Sequence, residues 1–478
     1  MKPLKFELPP VTPDASVDNR CHPARPEHLK NLGLPETRPD DWQEQAVDKF
    51  GELLEKSRAL RTYLDICVRC GACADKCHFF VGTGDPKNMP YARAELLRKV
   101  YRQYFTRGGR AFGRLVGAEP LSEAVLDEWY TYFYQCSECR RCSVFCPYGI
   151  DQAEITIAAR EIMASIGVAN KYVTEVINNA YRTGNNIGIP APAWLDNCEF
   201  LEEEIKDNTG QDIRLPVDEA GAEVLLVPPS ADNFVNTNTM IGYAKVFHAA
   251  GISWTTSTYA DEAANFGLFL DYRNMKRLNA RIIEAAKRLQ VKHIVFGECG
   301  HAWRVAMFMK TLNGPLDFLR TPHPIHICEF TLDLLRRGAF RLDREANLSR
   351  TVSYHDPCNI ARAGGPLEEP RELLRASVLD FREMPANTIR QQTVCCAGGG
   401  GLLTDELMDL RVAGSKMRAQ AFRTTRANTL ATICAICKAQ LRKVLPKHGL
   451  EAEVVGVHDL VGNALIPSTV GEAAPMHW

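Results

Sequence analysis

Long apolar runs are missing from this 478-residue chain. None approaches the roughly 20 residues that a membrane-crossing helix needs. The first ten residues, Met1 to Pro10, hold no apolar core of the kind a secretory leader carries, so no export is expected. An excess of either charge is missing too. The 57 Lys and Arg face 58 Asp and Glu, for a net charge of −1. Without a basic stripe there is no electrostatic footprint for nucleic acid. What the chain has in plenty is cysteine, 17 in all. Their x2 and x3 spacings suit metal ligation, and such sites survive best in a reducing cytoplasm, which argues against disulfides. A hydrophobic content of 45% lets each of about two or three domains bury a core.

Two cysteine runs share one spacing: Cys67-x2-Cys70-x2-Cys73-x3-Cys77 and Cys136-x2-Cys139-x2-Cys142-x3-Cys146. Pro147 follows the second run, as in bacterial ferredoxins, whereas His78 follows the first. Three thiolates of a tight loop reach three irons of a cubane [4Fe–4S] cluster, and the fourth ligates the other cluster. The expected groups are therefore Cys67, Cys70, Cys73 and Cys146, and Cys136, Cys139, Cys142 and Cys77. Zinc is the competing reading, but it uses four soft ligands, often as two Cys-x2-Cys pairs. Three cysteines at x2 spacing and a fourth at x3, twice over, fit iron–sulfur better. Two adjacent clusters make a path for electrons.

The 58 residues between Cys77 and Cys136 are too many for a compact two-cluster ferredoxin. Residues 91–105 place Leu96, Val100 and Tyr104, and Leu97 and Tyr101, at helical spacing behind Pro90. Residues 121–135 and 151–165 also read as helices, so an α-helical ferredoxin domain is expected over 42–180. Before it lies an arm, 1–41, with eight prolines. It reads as a polar segment that lies over a partner subunit or remains a loose leader. Residues 181–220 read as a connector, with loop chemistry at 185–192.

From about 221 short apolar strands alternate with amphipathic helices, the pattern of α/β units. Strands are expected at 223–229, 293–299, 326–328, 351–358 and 429–437, with helices at 239–250, 273–289, 371–378 and 405–422. The two halves, 221–340 and 341–478, look like a degenerate repeat. The fold class is thus α + α/β, an α-helical two-cluster ferredoxin domain followed by a tandem, partly degenerate α/β module. Each half ends strands on cysteines or their replacements, where α/β units gather ligands. The second half offers Cys358, Cys395, Cys396, Cys434 and Cys437. Adjacent cysteines share a pocket only if the loop bends sharply, and Gly398 to Gly401 are expected to supply the bend. Five thiols exceed the four a cubane takes. They suit either an opened, non-cubane cluster with an iron free for a substrate sulfur, or a plain cubane with a spare cysteine.

Cys358, Cys395-Cys396 and Cys434-x2-Cys437 resemble the cysteine-rich CCG module of heterodisulfide reductases. The stretches 65–77, 84–90, 134–150, 297–305 and 326–330 are similar to the DsrK family, the heterodisulfide-reductase-like subunits of DsrMKJOP membrane complexes in dissimilatory sulfur metabolism. The likeness spans roughly residues 40–465. It implies a cytoplasmic subunit, peripheral on the inner membrane, that docks on a haem b membrane subunit (DsrM-like) and the other subunits of the complex. It also implies a DsrC-like sulfur-carrier protein as the disulfide or trisulfide substrate.

The chain departs from that pattern. Ala397 stands where the CCG glycine would be. Asn265, Phe266 and Gly267 replace a Cys-Cys-Gly in the first half, and Cys299 to Ala302 replace a Cys-x2-Cys. One special [4Fe–4S] cluster is therefore expected beside the two cubanes. Cys299 and Cys328 survive, either as thiols facing the pocket or as buried structural thiols. His355, Glu298 and His301 stand at strand ends as candidate proton donors or relays, or as loop caps. Cys21 and Cys198 read as free thiols without a role, and Arg140-Arg141 as charges that tune a cluster or face solvent. Two other functions remain open: the iron–sulfur subunit of a flavin-linked 2-hydroxyacid or glycerol-phosphate dehydrogenase complex, and a pure electron relay.

Overall fold

The helix Gln152–Ser165 sets the frame of the N-terminal domain. Asp151 caps it by accepting the Ala153 N–H at 3.0 Å. Every residue from Ile155 to Ala164 is buried, as expected of a helix packed on all sides. Helices Trp42–Lys56, Pro90–Phe105 and Glu123–Phe133 surround it. Pro90 opens its helix at a position where the missing N–H costs nothing. Ser122 caps Glu123–Phe133. The computed structural model describes residues 2–262 and 264–466 of the chain. Residues 467–478, which the sequence assigns to the last module, lie outside the described residues.

The proline-rich arm lies along the chain's own body. The Leu4 N–H donates to Asn387 Oδ1 at 3.0 Å, Thr12 N–H to the Gly84 carbonyl at 3.0 Å, and Ala24 N–H to the Ala169 carbonyl at 2.8 Å. The connector, expected to be loop, holds a helix, Ala191–Thr209. Its prolines mark the first turn, where proline is tolerated. Trp194, Cys198, Leu201 and Ile205 form its buried stripe, so Cys198 is a core residue.

The C-terminal portion contains two four-stranded parallel sheets. The first uses β1 (Val224–Val227), β2 (Trp254–Thr255), β3 (His293–Phe296) and β4 (Ile325–His326) in the order β2-β1-β3-β4. After β5 (Arg341–Leu342), the second uses β6 (Thr351–Tyr354), β7 (Asp380–Arg382), β8 (Thr429–Ala431) and β9 (Glu453–Val455) in the order β7-β6-β8-β9. The two orders are the same, which is the tandem read from the sequence. β10 (Leu465–Ile466) pairs antiparallel with β5. Val224 lies opposite His293, and Val352 opposite Thr429, so β1–β3 and β6–β8 are the central pairs.

The expected strands 293–299, 351–358 and 429–437 ran on into their cysteines. The observed strands stop short, and Cys299, Cys358 and Cys434 open the helices Gly300–Ala306, Cys358–Ala361 and Ala435–Val444. The ladder still takes in the Gly297 N–H, which donates to the Val227 carbonyl, and the His355 N–H, which donates to that of Ala431; beyond these bonds the chain leaves the sheet and turns the thiols into a pocket at the strand ends. The halves lock where helix Thr237–Ala249 crosses helix Val457–Ala464. A Cβ on Gly242 would lie 2.1 Å from the His458 carbonyl oxygen, so only glycine allows this approach. Among the described residues no helix is long and apolar enough to cross a membrane.

Behind β4, His326 Nδ1 accepts the Cys328 N–H at 3.1 Å and caps helix Ile327–Arg336. Burial pushes its imidazolium down to about 3, with Glu298 opposing and His458 reinforcing the shift. The unfolded histidine titrates near 6.5. His326 thus contributes stability that is full above about pH 6.5 and lost as pH falls toward the folded value. The urea midpoint is expected to fall from pH 7 to pH 5. His326→Asn, which keeps a cap acceptor but no titrating ring, is expected to flatten that slope.

Candidate functional site: cysteine pockets in contact

Cys395 and Cys396 lie on the loop before helix Met408–Arg423. The bend begins at Ala397, with φ of +72°, and ends at Gly400 and Gly401. This corrects the expectation that glycine alone makes the turn, because an alanine carries the first left-handed residue. Space for its methyl comes from Gly414, where a Cβ would sit 2.5 Å from the Phe79 ring and 3.0 Å from Ala397 Cβ. Gly398 and Gly399 instead allow close approach. A Cβ on Gly399 would lie 2.6 Å from His301 Nε2.

The bend brings all five cysteines of the second half together, none more than 3% exposed. Cys358 meets Cys395, which meets Cys396. Cys396 lies 3.3 Å from Cys437, and Cys437 meets Cys434. Cys434 then contacts Cys299 of the first half, extending the row of thiols to six. Cys395 is held well below the usual thiol range by hydrogen bonds from Cys139 and Cys358, and Cys434 by those from Cys299 and Cys437. The thiolate that these hydrogen bonds favour is the form that binds metal.

The other candidates divide. His301 lies against Cys434. His355 lies with Cys396 and Cys437, their ligand atoms within 4.8 Å of one another. Both ring nitrogens of each histidine lack a protein partner. Burial pushes the His355 imidazolium down to about 3, so the ring is neutral near pH 7. Glu298 is engaged elsewhere, pairing with Lys438 Nζ at 3.3 Å and accepting from His458 at 2.8 Å. Cys328 lies beside Glu298 and His458. Sequence reasoning missed Glu262, whose carboxylate is 3.9 Å from Cys299 Sγ; Asn265, noted there only as the replacement of a cysteine, places its Nδ2 at the same 3.9 Å.

In the ferredoxin domain, Cys77 packs near Cys139, and Cys142 is crowded by Cys139, Cys136 and Cys77. Cys73 lies near Cys67, Cys77 and Cys142. The buried Arg93 guanidinium faces Cys136, Cys77 and Cys142. Asn88, which bonds to Ser16 Oγ at 2.9 Å and Gln135 Oε1 at 3.0 Å, also holds Arg93. Cys70 is exposed, and Cys67 lines a surface cleft of about 500 Å³ with Val68 and Val116. Arg140 and Arg141 serve as ties: Arg140 donates to Asp151 and the Arg362 carbonyl, and Arg141 to the Gln392, Lys76 and Asn387 carbonyls.

The two regions touch. Fully buried Arg160 donates to the Gly400 and Cys136 carbonyls, each at 2.8 Å, and to Phe133. It also pairs with buried Glu138 at 2.9 Å. His78 lies between Cys139 and Cys395. Burial disfavours its imidazolium, but the charge of Cys395 and the hydrogen bonds to Cys139 and Cys395 hold it up at about 9.

The donor set fits iron–sulfur clusters. Eight thiols lie in the ferredoxin loops and five converge in the second pocket, with unpartnered imidazole nitrogens available to bond cluster sulfur. Comparisons agree. Residues 63–150 match the 4Fe-4S dicluster domain family, and residues 352–442 match the Cysteine-rich domain (CCG) family. The chain is 43% identical over 473 residues to the Hdr-like menaquinol oxidoreductase iron-sulfur subunit of Archaeoglobus profundus, covering 91% of this chain and 85% of that protein. Iron-sulfur subunit 2 of the same name in Archaeoglobus fulgidus is 42% identical over the same shares. One subunit of the dihydromethanophenazine:CoB–CoM heterodisulfide reductase of Methanosarcina barkeri is 26% identical, covering 85% of this chain and 95% of that protein. The chain carries iron–sulfur clusters in a ferredoxin domain and a CCG domain, and it belongs to the family of Hdr-like oxidoreductase iron–sulfur subunits.

Proposed function

We propose that this chain is a DsrK-like catalytic subunit, exchanging electrons between a quinone-linked membrane complex and the disulfide or trisulfide of a DsrC-like sulfur carrier. The observation that carries this reading is the row of buried thiols that joins Cys299 to the five CCG cysteines. A site that only relays electrons has no use for a sixth thiol beside a complete ligand set. Relatives named as menaquinol oxidoreductase subunits support the quinone link, and a relative named as a heterodisulfide reductase supports the sulfur chemistry.

In this reading Cys67, Cys70, Cys73 and Cys146 hold one cubane, and Cys136, Cys139, Cys142 and Cys77 the other. Cys358, Cys395, Cys396, Cys434 and Cys437 hold the special cluster. When bound, the clusters supply one-electron storage and, at the CCG site, an iron able to take sulfur. Cleaving a disulfide consumes two electrons and two protons and leaves two thiols. Cys299 and Cys434 flank the substrate sulfur, and His301 and His355 hydrogen-bond the thiols that the cleavage leaves. Burial excludes water from the pocket. The end with exposed Cys70, Val68 and Val116, and with Leu115 90% exposed, faces the haem b membrane subunit on the cytoplasmic side.

Iron content and EPR of anaerobically purified chain, with and without a thiol-bearing DsrC-like partner, test this. The expected result is roughly 12 irons, four per cluster, and an oxidised-state signal that changes on adding the partner. Cys299→Ala is expected to keep the iron and lose the change. About 8 irons, or a third cluster indifferent to thiols, would reduce the chain to a relay.

A further inference from the structure

The residue after the fourth cysteine of the second run is Pro147, but in the first run it is His78. Nothing in the ligand sets uses this histidine. It is 2% exposed and opens helix His78–Thr83. Its Nδ1 lies 3.9 Å from Cys139 Sγ. Its Nε2 lies 3.3 Å from Ser137 Oγ, which is itself 3.4 Å from Cys395 Sγ. The ring therefore reaches a cysteine of the ferredoxin loop on one side and, through a serine, a cysteine of the CCG loop on the other. Nδ1, when it carries a proton, donates to Cys139 Sγ directly, and Nε2, when it carries one, donates to Ser137 Oγ, whose own hydroxyl then donates to Cys395 Sγ; the two arms together take both protons. A histidine that merely filled space would need one partner at most, and an apolar ring would serve as well.

Hydrogen bonds to ligating sulfur draw electron density from it and raise a cluster's reduction potential. We propose that His78 is a positioning residue shared by the two sites, bonding Cys139 directly and Cys395 through Ser137, so that one imidazole sets both reduction potentials. Ser137 is the part of this device that serves the CCG side alone. The inference rests on the electron-exchanging reading of the chain but uses no sulfur substrate, so the identity of that substrate can fail without touching it.

The test is a redox titration followed by EPR on the whole chain with its clusters in place and no thiol partner added. His78→Phe is expected to lower the potentials of the CCG site and of the Cys136 site, each by about tenfold in the oxidised-to-reduced ratio, ~59 mV for one electron. Ser137→Ala is expected to lower only the CCG potential. The site holding Cys67 and Cys70 serves as the internal reference and is expected not to move. His78→Gln, which keeps a donor, is expected to recover part of the shift. Unchanged potentials in a fully loaded His78→Phe chain would overturn the proposal, as would equal shifts at all three sites. Should His78→Phe fail to hold iron, Ser137→Ala decides alone: no CCG shift overturns the proposal.

Discussion

Replacing Arg160 with methionine is expected to lower stability by about 3–5 kcal/mol, the usual result of removing one member of a buried ion pair. Arg160 and Glu138 are both fully buried and lie 2.9 Å apart. The loss leaves Glu138 with Arg304 alone, at 3.8 Å, and strips the Gly400, Cys136 and Phe133 carbonyls of a donor. Two of these carbonyls flank the ferredoxin and CCG pockets, so their contact loosens together with the fold. Burial already holds the Glu138 carboxyl up at about 7, and the loss of a cation raises it further. Because the folded value lies above the unfolded one, the protonated acid is tolerated, and the penalty grows as pH rises through the folded value. Urea midpoints at pH 6 and pH 8 should therefore separate wild type and variant more widely at the higher pH. The double variant Arg160→Met with Glu138→Gln is expected to recover the pH-dependent share. A midpoint unchanged by Arg160→Met would refute the account.

Lys438→Met is expected to have a comparable effect, about 3–5 kcal/mol, for a related reason in a different place. Lys438 follows Cys437, yet its ammonium crosses into the first half. There it reaches Asp232 at 3.1 Å, Glu298 at 3.3 Å and Thr239 Oγ1 at 2.8 Å. Two carboxylates of one half thus depend on a cation from the other. Without it both are buried with too few partners. Asp232, which burial holds up at about 6, becomes protonated, while Glu298 keeps only His458. A double-mutant cycle of Lys438→Met with Glu298→Gln should show a coupling well outside additivity. Additive effects would mean that the pair is incidental.

The sequence made the ligand spacings, the ferredoxin helices and the paired sheet orders legible, because each repeats or has a period. Single residues without a period were less legible. Cys299 and Cys328 both stand near strand ends, and nothing in the sequence separates them. The structure turns Cys299 toward Cys434, while Cys328 enters helix Ile327–Arg336 beside Glu298. Glu298 looked like a partner of the cysteine pocket only because it precedes Cys299. Its carboxylate is drawn to Lys438, a residue far away in sequence. The connector helix was hidden by Pro190 and Pro192, although the stripe Trp194, Cys198, Leu201 and Ile205 was there to be read. Arg93 and Arg160 had no local signature, since a buried cation reveals itself only through the carbonyls and thiols that surround it. His78 did have one, at the position where the second run has its proline.

The crossing of helices at Gly242, where a Cβ on Gly462 would lie 2.8 Å from the Gly242 Cα, also bears on how the chain matures. Helix Thr237–Ala249 is covered by helix Val457–Ala464, near the end of the described residues. The same late helix brings His458 to Glu298 and Asp459 to Thr239. At ~5–20 residues per second of synthesis, that cover leaves the ribosome roughly 10–40 s after the helix it protects. Until then helix Thr237–Ala249 lacks its cover and Glu298 has Lys438 but not His458, while all eight ferredoxin cysteines have already emerged. The ferredoxin loops can therefore take up iron before the two halves of the C-terminal portion are locked together, and a nascent chain arrested before residue 457 would lack that lock.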